Sequence, residues 1–216
     1  MQLKPYYTLM KRDKSEFIIN KSRFIGYGCP AETEEQALKF LSDVRSAHKD
    51  ASHHCYAYII GTNMGIMRYS DDGEPGGTAG MPIIEVMKAR KVTNCCVVVV
   101  RYFGGILLGA GGLVRAYSQG AVAAIDACGV GGVYPTARYL MEIPYPLLGR
   151  VEYILKSQPV NVEDKSFSDK VILTLTVKCI DEEAFLSAVV SGTDGKIEPV
   201  RMEEIYLPWQ ENGPLE

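Results

Sequence analysis

What this 216-residue chain lacks narrows it first. No apolar run is long enough to span a bilayer, and Met1-Gln2-Leu3-Lys4-Pro5-Tyr6-Tyr7 carries no secretory hydrophobic core, so a cytoplasmic protein without a membrane partner is expected. The six cysteines include no Cys-x-x-Cys pair, which removes the usual zinc and redox spacings. Cys95 and Cys96 adjoin inside an apolar strand, and Cys29, Cys55, Cys128 and Cys179 sit singly in apolar segments; all read as reduced core residues. No Gly-Lys-Ser/Thr follows a glycine loop, Gly-x-Gly-x-x-Gly is not matched, and Asp71-Asp72-Gly73-Glu74 lacks the alternating ligands of an EF-hand. Internal repeats and low-complexity tracts are missing as well. Nothing in the pattern calls for a metal or a cofactor.

What is present is glycine in two special places. Cys95 to Val100 is continuously apolar and β-branched, as a central strand buried on both faces should be, and it runs into Arg101-Tyr102-Phe103-Gly104-Gly105-Ile106-Leu107-Leu108-Gly109-Ala110-Gly111-Gly112. Five glycines in the nine residues 104–112 let a backbone, a phosphate or a planar ring approach the main chain closely. The second segment, Asp71-Asp72-Gly73-Glu74-Pro75-Gly76-Gly77-Thr78-Ala79-Gly80, also precedes a helix, begun after Pro82 by Ile83, Ile84, Val86 and Met87.

Charge divides the chain. Residues 1–138 hold 16 Lys+Arg against 12 Asp+Glu, a net +4, whereas residues 139–216 hold 7 against 14, a net −7. A mildly basic first part is compatible with an anionic partner, and an acidic second part argues against another nucleic-acid surface there. Apolar residues make up 47% of the chain, enough for two small domains.

The element pattern supports two. Glu16–Ile19 and Arg23–Gly28 read as strands joined through Asn20-Lys21-Ser22, followed by a helix that Thr33 caps, Gln36 completing a capping box, with Ala37, Phe40, Leu41, Val44 and Ala47 inward. His53–Ile60 and Ile66–Tyr69 form a hairpin pattern. A helix over Ala110–Cys128 turns Val114, Tyr117, Ala121, Ala124, Ile125 and Cys128 inward. Gly129–Arg138 reads as a linker. Beyond it come a strand (Tyr139–Tyr145), a helix (Pro146–Ser157), a hairpin (Val160–Glu163 with Lys170–Cys179), a short helix capped by Asp181, and a strand over Lys196–Leu207. This is βαββαβ, the ferredoxin-like order. Pro208–Glu216 reads as a loose tail that Trp209 ties down. We expect an α+β protein with domains 1–134 and 135–216.

Several chemistries compete for the motifs. Asp71, Asp72 and Glu74 suit either capping of the glycine turn, which is the expected role, or acid–base and metal work. His53 and His54 face opposite sides of a strand, one buried and one exposed, and do not share a metal. No cysteine stands where a nucleophile would. Arg68, Arg101 and Arg115 with Tyr102, Phe103 and Tyr117 place cations and rings beside a glycine loop, which suits single-stranded nucleic acid. The competing role for the same rings and glycines is close packing of helix on strand.

Asp71-Asp72-Gly73-Glu74-Pro75, Gly77-Thr78-Ala79-Gly80, Ile83-Ile84, Val98-Val99-Val100 and Arg101 to Gly109 resemble the signature of the IMPACT family in its bacterial YigZ-like branch. The resemblance covers about residues 16–128. It implies that the first domain shares its fold with the second domain of a small-subunit ribosomal protein and with GHMP kinases. It also implies that residues 135–216 are similar to late domains of elongation factor G. A role near translation is implied as well, since eukaryotic relatives compete for the activator of an initiation-factor kinase. Gly76 departs from the serine that many members carry, which leaves Thr78 as the hydroxyl of that loop. Kinship of fold does not transfer kinase activity. The expected function is therefore a non-enzymatic, translation-associated regulator that binds RNA or a ribosome-associated protein. The expected surface comprises Arg68, Asp71, Asp72, Glu74, Gly77, Thr78, Gly80, Arg101, Tyr102, Gly104, Gly105, Gly109 and Arg115. The alternatives are a small-molecule or phosphoryl-transfer enzyme built on Asp72 and Glu74, and a protein-interaction module.

Overall fold

The computed structural model describes residues 4–209. They form a mixed α+β structure with antiparallel sheets, in two compact units, one of residues 6–132 and one of residues 133–209 with 4 and 5. The remainder of the expected tail, residues 210–216, lies outside the described residues.

The first unit contains β1 (Tyr6–Leu9), β2 (Asp13–Ile19), β3 (Ser22–Pro30), α1 (Glu34–Ala47), β4 (His53–Ile60), β5 (Ile66–Ser70), α2 (Gly80–Ala89), β6 (Cys95–Tyr102) and α3 (Gly109–Cys128). Its sheet runs β2-β3-β6-β4-β5, and every neighbouring pair is antiparallel. Alternation along β6 explains its continuous apolar run: Val97 and Val99 enter a core with α2 and α3, while Cys96, Val98 and Val100 enter a second core with α1. Burying each valine contributes about 1.5–3 kcal/mol, so the strand anchors both layers. Asn20 and Lys21, at φ 46° and 62°, make the two-residue turn between β2 and β3, and Ser22 already belongs to β3.

Gly26 and Gly120 set the depth of α3 on the sheet. A Cβ on Gly26 would strike the Gly120 carbonyl, and one on Gly120 would meet Val99 at 2.9 Å. On α3, Tyr117, Ala121, Ala124, Ile125 and Cys128 face inward as expected, but Val114 faces out, and Leu113 and Ala116 are buried in its place. The Thr33 hydroxyl accepts from the Gln36 N–H at 3.3 Å, but the Gln36 side chain reaches back to the Glu32 N–H, one residue before the cap. β1 is too short to signal itself in sequence; the Tyr7 carbonyl accepts from the Thr93 N–H at 2.8 Å.

β7 (Val130–Ile143) spans the segment expected to be a linker. The reason is its alternation, since Ala137, Tyr139, Met141 and Ile143 all enter one core and overrule the glycine pair at its start. After it come a 3-10 turn (Tyr145–Leu147), α4 (Leu148–Lys156), β8 (Val160–Phe167), β9 (Val171–Lys178), α5 (Glu182–Gly192) and β10 (Val200–Trp209). β9 pairs with β7 and β8 on either side, and β10 also pairs with β7. Val151 and Leu155 of α4 and Phe185 and Val189 of α5 share one core with alternate residues of β7 and β9, so both helices cover one sheet face. Asp181 occupies the cap position of α5 without a side-chain capping bond. The last strand begins at Val200, and Trp209 ends it with its indole N–H donating to the Thr136 hydroxyl at 2.9 Å.

Candidate functional site

Both glycine-rich segments lie in the first unit, where β5 and β6 feed α2 and α3. The three acids of the first segment are all engaged. Asp71 Oδ1 accepts from the Ala79 and Gly80 N–H groups at 3.0 and 2.8 Å, and Oδ2 accepts from the Gly77 N–H at 2.8 Å. Ala79, the cap residue of α2, has no polar side chain of its own, so Asp71 caps the helix from outside it. Asp72 Oδ2 accepts from the His54 N–H at 2.7 Å, and Oδ1 meets Arg45 Nη2 at 3.0 Å. Thr78 is turned inward, its hydroxyl donating to the Pro75 carbonyl at 2.6 Å. Gly80 passes so close to Ser70 that a Cβ would lie 2.8 Å from its backbone.

Glu74 reaches furthest. It is buried, and its Oε1 accepts from Arg101 Nη1 at 2.7 Å and from the Tyr117 hydroxyl at 2.6 Å, with His53 Nε2 at 3.9 Å. The first loop is thereby tied to the two residues that bracket the second. Arg101 is enclosed as well: Nη2 reaches the Ser22 hydroxyl at 3.4 Å, and the guanidinium lies 5.5 and 5.3 Å from the ring centres of Phe24 and Phe103. Its Nε is buried without a partner among the described residues. The expectation of Arg101 as a surface phosphate ligand is corrected by this burial, because a guanidinium committed to a carboxylate beneath the surface is not presented to a ligand.

Burial also fixes protonation. It pushes the Tyr117 phenol far above its ordinary value, so the hydroxyl stays a donor to Glu74. The Cys55 thiol is pushed up to about 12 by burial, and it donates to the Asp71 carbonyl at 3.0 Å. Cys55 is therefore no nucleophile at neutral pH.

The two histidines do face opposite sides of β4, but both are half-buried, which corrects the expectation of one buried and one exposed. His53 Nδ1 donates to the Asp72 carbonyl at 2.9 Å, and His54 Nε2 donates to the His48 carbonyl at 2.9 Å. Tyr102 points to the α1 side, away from Arg101, as strand alternation requires. Its hydroxyl bonds His48 Nδ1 at 2.8 Å while Tyr27 bonds His48 Nε2 at 2.5 Å. Burial, followed by the charges of His54, Lys14 and Arg23, lowers the His48 pKa. His48, Tyr27 and Arg45 were not singled out by the sequence; their spacing carries no motif, and only the α1 helical phase places His48 at its end.

The second loop is open where the first is closed. Gly104 packs against the backbone of Lys21 and Ser22, and its N–H donates to the Ser22 hydroxyl at 3.2 Å. Beyond it, Gly105 and Gly109 take φ of 82° and 66°, a conformation that favours glycine, and both face open space. Gly111 faces open space too. The first turn of α3 has neither a side-chain cap nor an acid. Phe103, Ile106 and Leu107 are exposed around it, Leu107 by 85%. Arg115 projects from the outer face of α3. Arg68, by contrast, lies on the edge strand β5, its Nη1 bonded to the Met67 carbonyl at 3.0 Å. Since α3 packs over β2 and β3 toward the opposite sheet edge, Arg68 and Arg115 do not share a surface.

The chain has relatives among known proteins. The Impact N-terminal domain model matches residues 20–125, and a domain of unknown function, DUF1949, matches residues 141–196. The chain is 37% identical to the IMPACT family member YvyE of Bacillus subtilis over 210 residues, covering 95% of this chain and 94% of that protein. It is 33% identical to the IMPACT family member YigZ of Escherichia coli, over 86% of this chain and 92% of that one. A solved structure, described as the crystal structure of a hypothetical protein, superposes with a TM-score of 0.60 at 30% identity, covering 94% and 99% of the two chains. The chain belongs to the IMPACT family.

Proposed function

We propose that this protein is a cytoplasmic, translation-associated regulator that binds RNA, free or within the ribosome, through the loop 103–112 and the first turn of α3. The observation that carries the reading is the open main chain at an uncapped helix start: Gly105, Gly109 and Gly111 leave room for a phosphate at amides that no side chain satisfies. Arg115 supplies the nearby cation, and Phe103 supplies a half-exposed ring for a base. Arg101 acts from beneath, holding Phe103 and Glu74 in place. The fold analogies to the ribosomal-protein domain and to the late domains of elongation factor G belong to this reading. The βαββαβ order of the second unit and the adjacency of β10, β7, β9 and β8 support the latter.

Enzymatic use of Asp72 and Glu74 is the weaker reading. Both carboxylates are already held by backbone or cationic donors, which leaves neither poised over an open cavity as an acid or base. A protein-docking module is favoured by one specific feature, the exposure of Leu107 beside Ile106. Titration of a labelled single-stranded RNA followed by anisotropy at several salt concentrations separates the two. RNA binding that weakens with salt, whose salt slope falls by about one unit in Arg115→Ala, supports the RNA reading. No association at low salt moves the protein-docking reading ahead, and nucleotide turnover lost in Asp72→Asn would favour the enzyme.

A further inference from the structure

His48, where α1 ends, stands between two phenols. Its Nε2 lies 2.5 Å from the Tyr27 hydroxyl and its Nδ1 lies 2.8 Å from the Tyr102 hydroxyl, and neither hydroxyl has another hydrogen-bond partner among the described residues. Burial, ahead of the charges of His54, Lys14 and Arg23, lowers the His48 pKa, so the imidazole is neutral at neutral pH. A neutral imidazole carries one N–H, and each phenol carries one O–H. The two contacts use two of those three protons. Whichever ring nitrogen holds the hydrogen, one phenol therefore turns an unused O–H away from His48.

The sheet surface around this cluster is basic. Lys14 stands opposite Tyr27 in the β2–β3 register, its ammonium 5.7 Å from that ring centre, and no carboxylate pairs with it among the described residues. Arg23 stands opposite Tyr102 in the β3–β6 register, its guanidinium 5.8 Å from that ring centre. Glu16 takes only the Arg23 Nη2, at 2.6 Å, which leaves Nε and Nη1 as donors on a half-exposed side chain. The remaining charges here engage one another: Arg45 pairs with Asp72 at 3.0 Å, Asp72 faces His54 Nδ1 at 3.6 Å, and His54 Nε2 donates to the His48 carbonyl. Lys14 and Arg23 against Glu16 leave one net positive charge beside the outward hydroxyl.

We propose that this cluster binds a phosphomonoester, the unused phenol O–H and the free Arg23 N–H groups donating to phosphate oxygens and the Lys14 ammonium balancing the charge. A phosphomonoester is close to dianionic at neutral pH, its second pKa being about 6, whereas a nucleic-acid phosphodiester carries a single charge. Two cations therefore favour the monoester. Binding is also coupled to His48. An imidazolium donates to both phenols, which frees the second O–H, and it adds positive charge at the C-terminal end of α1, where the helix dipole favours it. A bound dianion thus raises the His48 pKa. This inference does not rest on RNA binding at the start of α3, because α1 and α3 cover opposite faces of the sheet.

The chain has three histidines, so the His48 ring signal is readily followed by NMR of the full-length protein and is assigned by its loss in His48→Gln. Methyl phosphate, dimethyl phosphate, and one RNA oligonucleotide with and without a 5′-phosphate are each titrated at about pH 7.5 and constant ionic strength. The expected result is a saturable His48 shift with a phosphomonoester, about fivefold weaker with the matching diester or unphosphorylated strand, and about fivefold weaker in Lys14→Gln. Saturation by methyl phosphate assigns a small molecule; saturation by the 5′-phosphorylated strand alone assigns an RNA end, and either supports the site. In the unaltered protein the His48 titration midpoint should move up when the phosphomonoester is present. Equal binding of monoester and diester, unchanged affinity in Lys14→Gln, a midpoint that stays or falls, or no saturation by about 10 mM methyl phosphate and about 1 mM oligonucleotide overturns the proposal.

Discussion

Glu74 Oε1 and Arg101 Nη1 meet at 2.7 Å with side chains only 3% and 5% exposed, which makes this ion pair the bridge between the two glycine-rich segments. Removing one partner leaves the other charge buried, at a cost of about 3–5 kcal/mol. Glu74→Ala and Arg101→Met should therefore each lower the urea midpoint markedly. The double variant should lose less than the sum, because neither charge is then left alone. Singles that cost below about 1 kcal/mol would show that the pair is hydrated.

Asp71 holds three backbone amides at the start of α2. Asp71→Ala should cost about 1–2 kcal/mol, in the range of a lost helix cap, and Asp71→Asn should recover part of it because one acceptor oxygen remains. Hydrogen exchange locates the effect. The Gly77, Ala79 and Gly80 amides should exchange faster in Asp71→Ala, and unchanged protection at all three would remove the capping role.

The legible parts of the sequence were those where one local pattern decided the outcome. β6 declared itself through unbroken β-branched residues, and the βαββαβ order emerged from alternation and helix spacing. Asp71 was readable as a cap because acids before a glycine turn accept backbone N–H bonds. The destiny of Arg101 was not readable. Its partner Glu74 is 27 residues distant, and only pairing of β3, β4 and β6 brings the carboxylate under the strand. The same holds for β7, whose glycines at 131 and 132 suggested a linker although its later residues carry the pattern of a core strand. Neither could Arg68 be separated from Arg115 without the sheet order that puts β5 at an edge.

Alkaline pH should destabilise the first unit. Burial raises the Cys55 thiol from near 9.0 to about 12, and burial together with the Glu34 hydrogen bond raises the Tyr58 phenol from near 10.0 to about 12. Each group keeps its proton in the folded state while the unfolded chain releases it, so the stabilisation is complete below pH 9 and is lost between pH 9 and 12. Urea midpoints measured across that window should fall, and Cys55→Ala should flatten the early part of the fall. A flat profile up to pH 12 would contradict the buried, protonated thiol.

Residues 133–216 should fold without the first unit. Their core joins α4 and α5 to β7 and β9 through residues of that unit alone, including Tyr139, Phe185 and Val189. A fragment of these residues should show a cooperative thermal transition by circular dichroism. A broad, non-cooperative melt would mean that the unit borrows its stability.

Gly111 offers a test in which stability and binding part company. It is the third residue of α3, faces open space, and lies in a first turn without an acid. Any ordinary side chain there should stabilise the helix by about 0.5–1 kcal/mol, because glycine is the costlier residue in a helix. Gly111→Glu adds a favourable charge at the positive end of the helix dipole, so its melting temperature should rise further. That same carboxylate occupies the place proposed for phosphate, and RNA affinity should drop. Gly111→Lys should bind RNA more tightly, although its gain in stability is the smaller of the two, since a cation opposes the dipole. Opposite rankings of the two variants for stability and for affinity are what an anion site at the α3 start demands. If both variants bind RNA as the unaltered protein does, the contact lies elsewhere on the molecule and the proposed site is wrong.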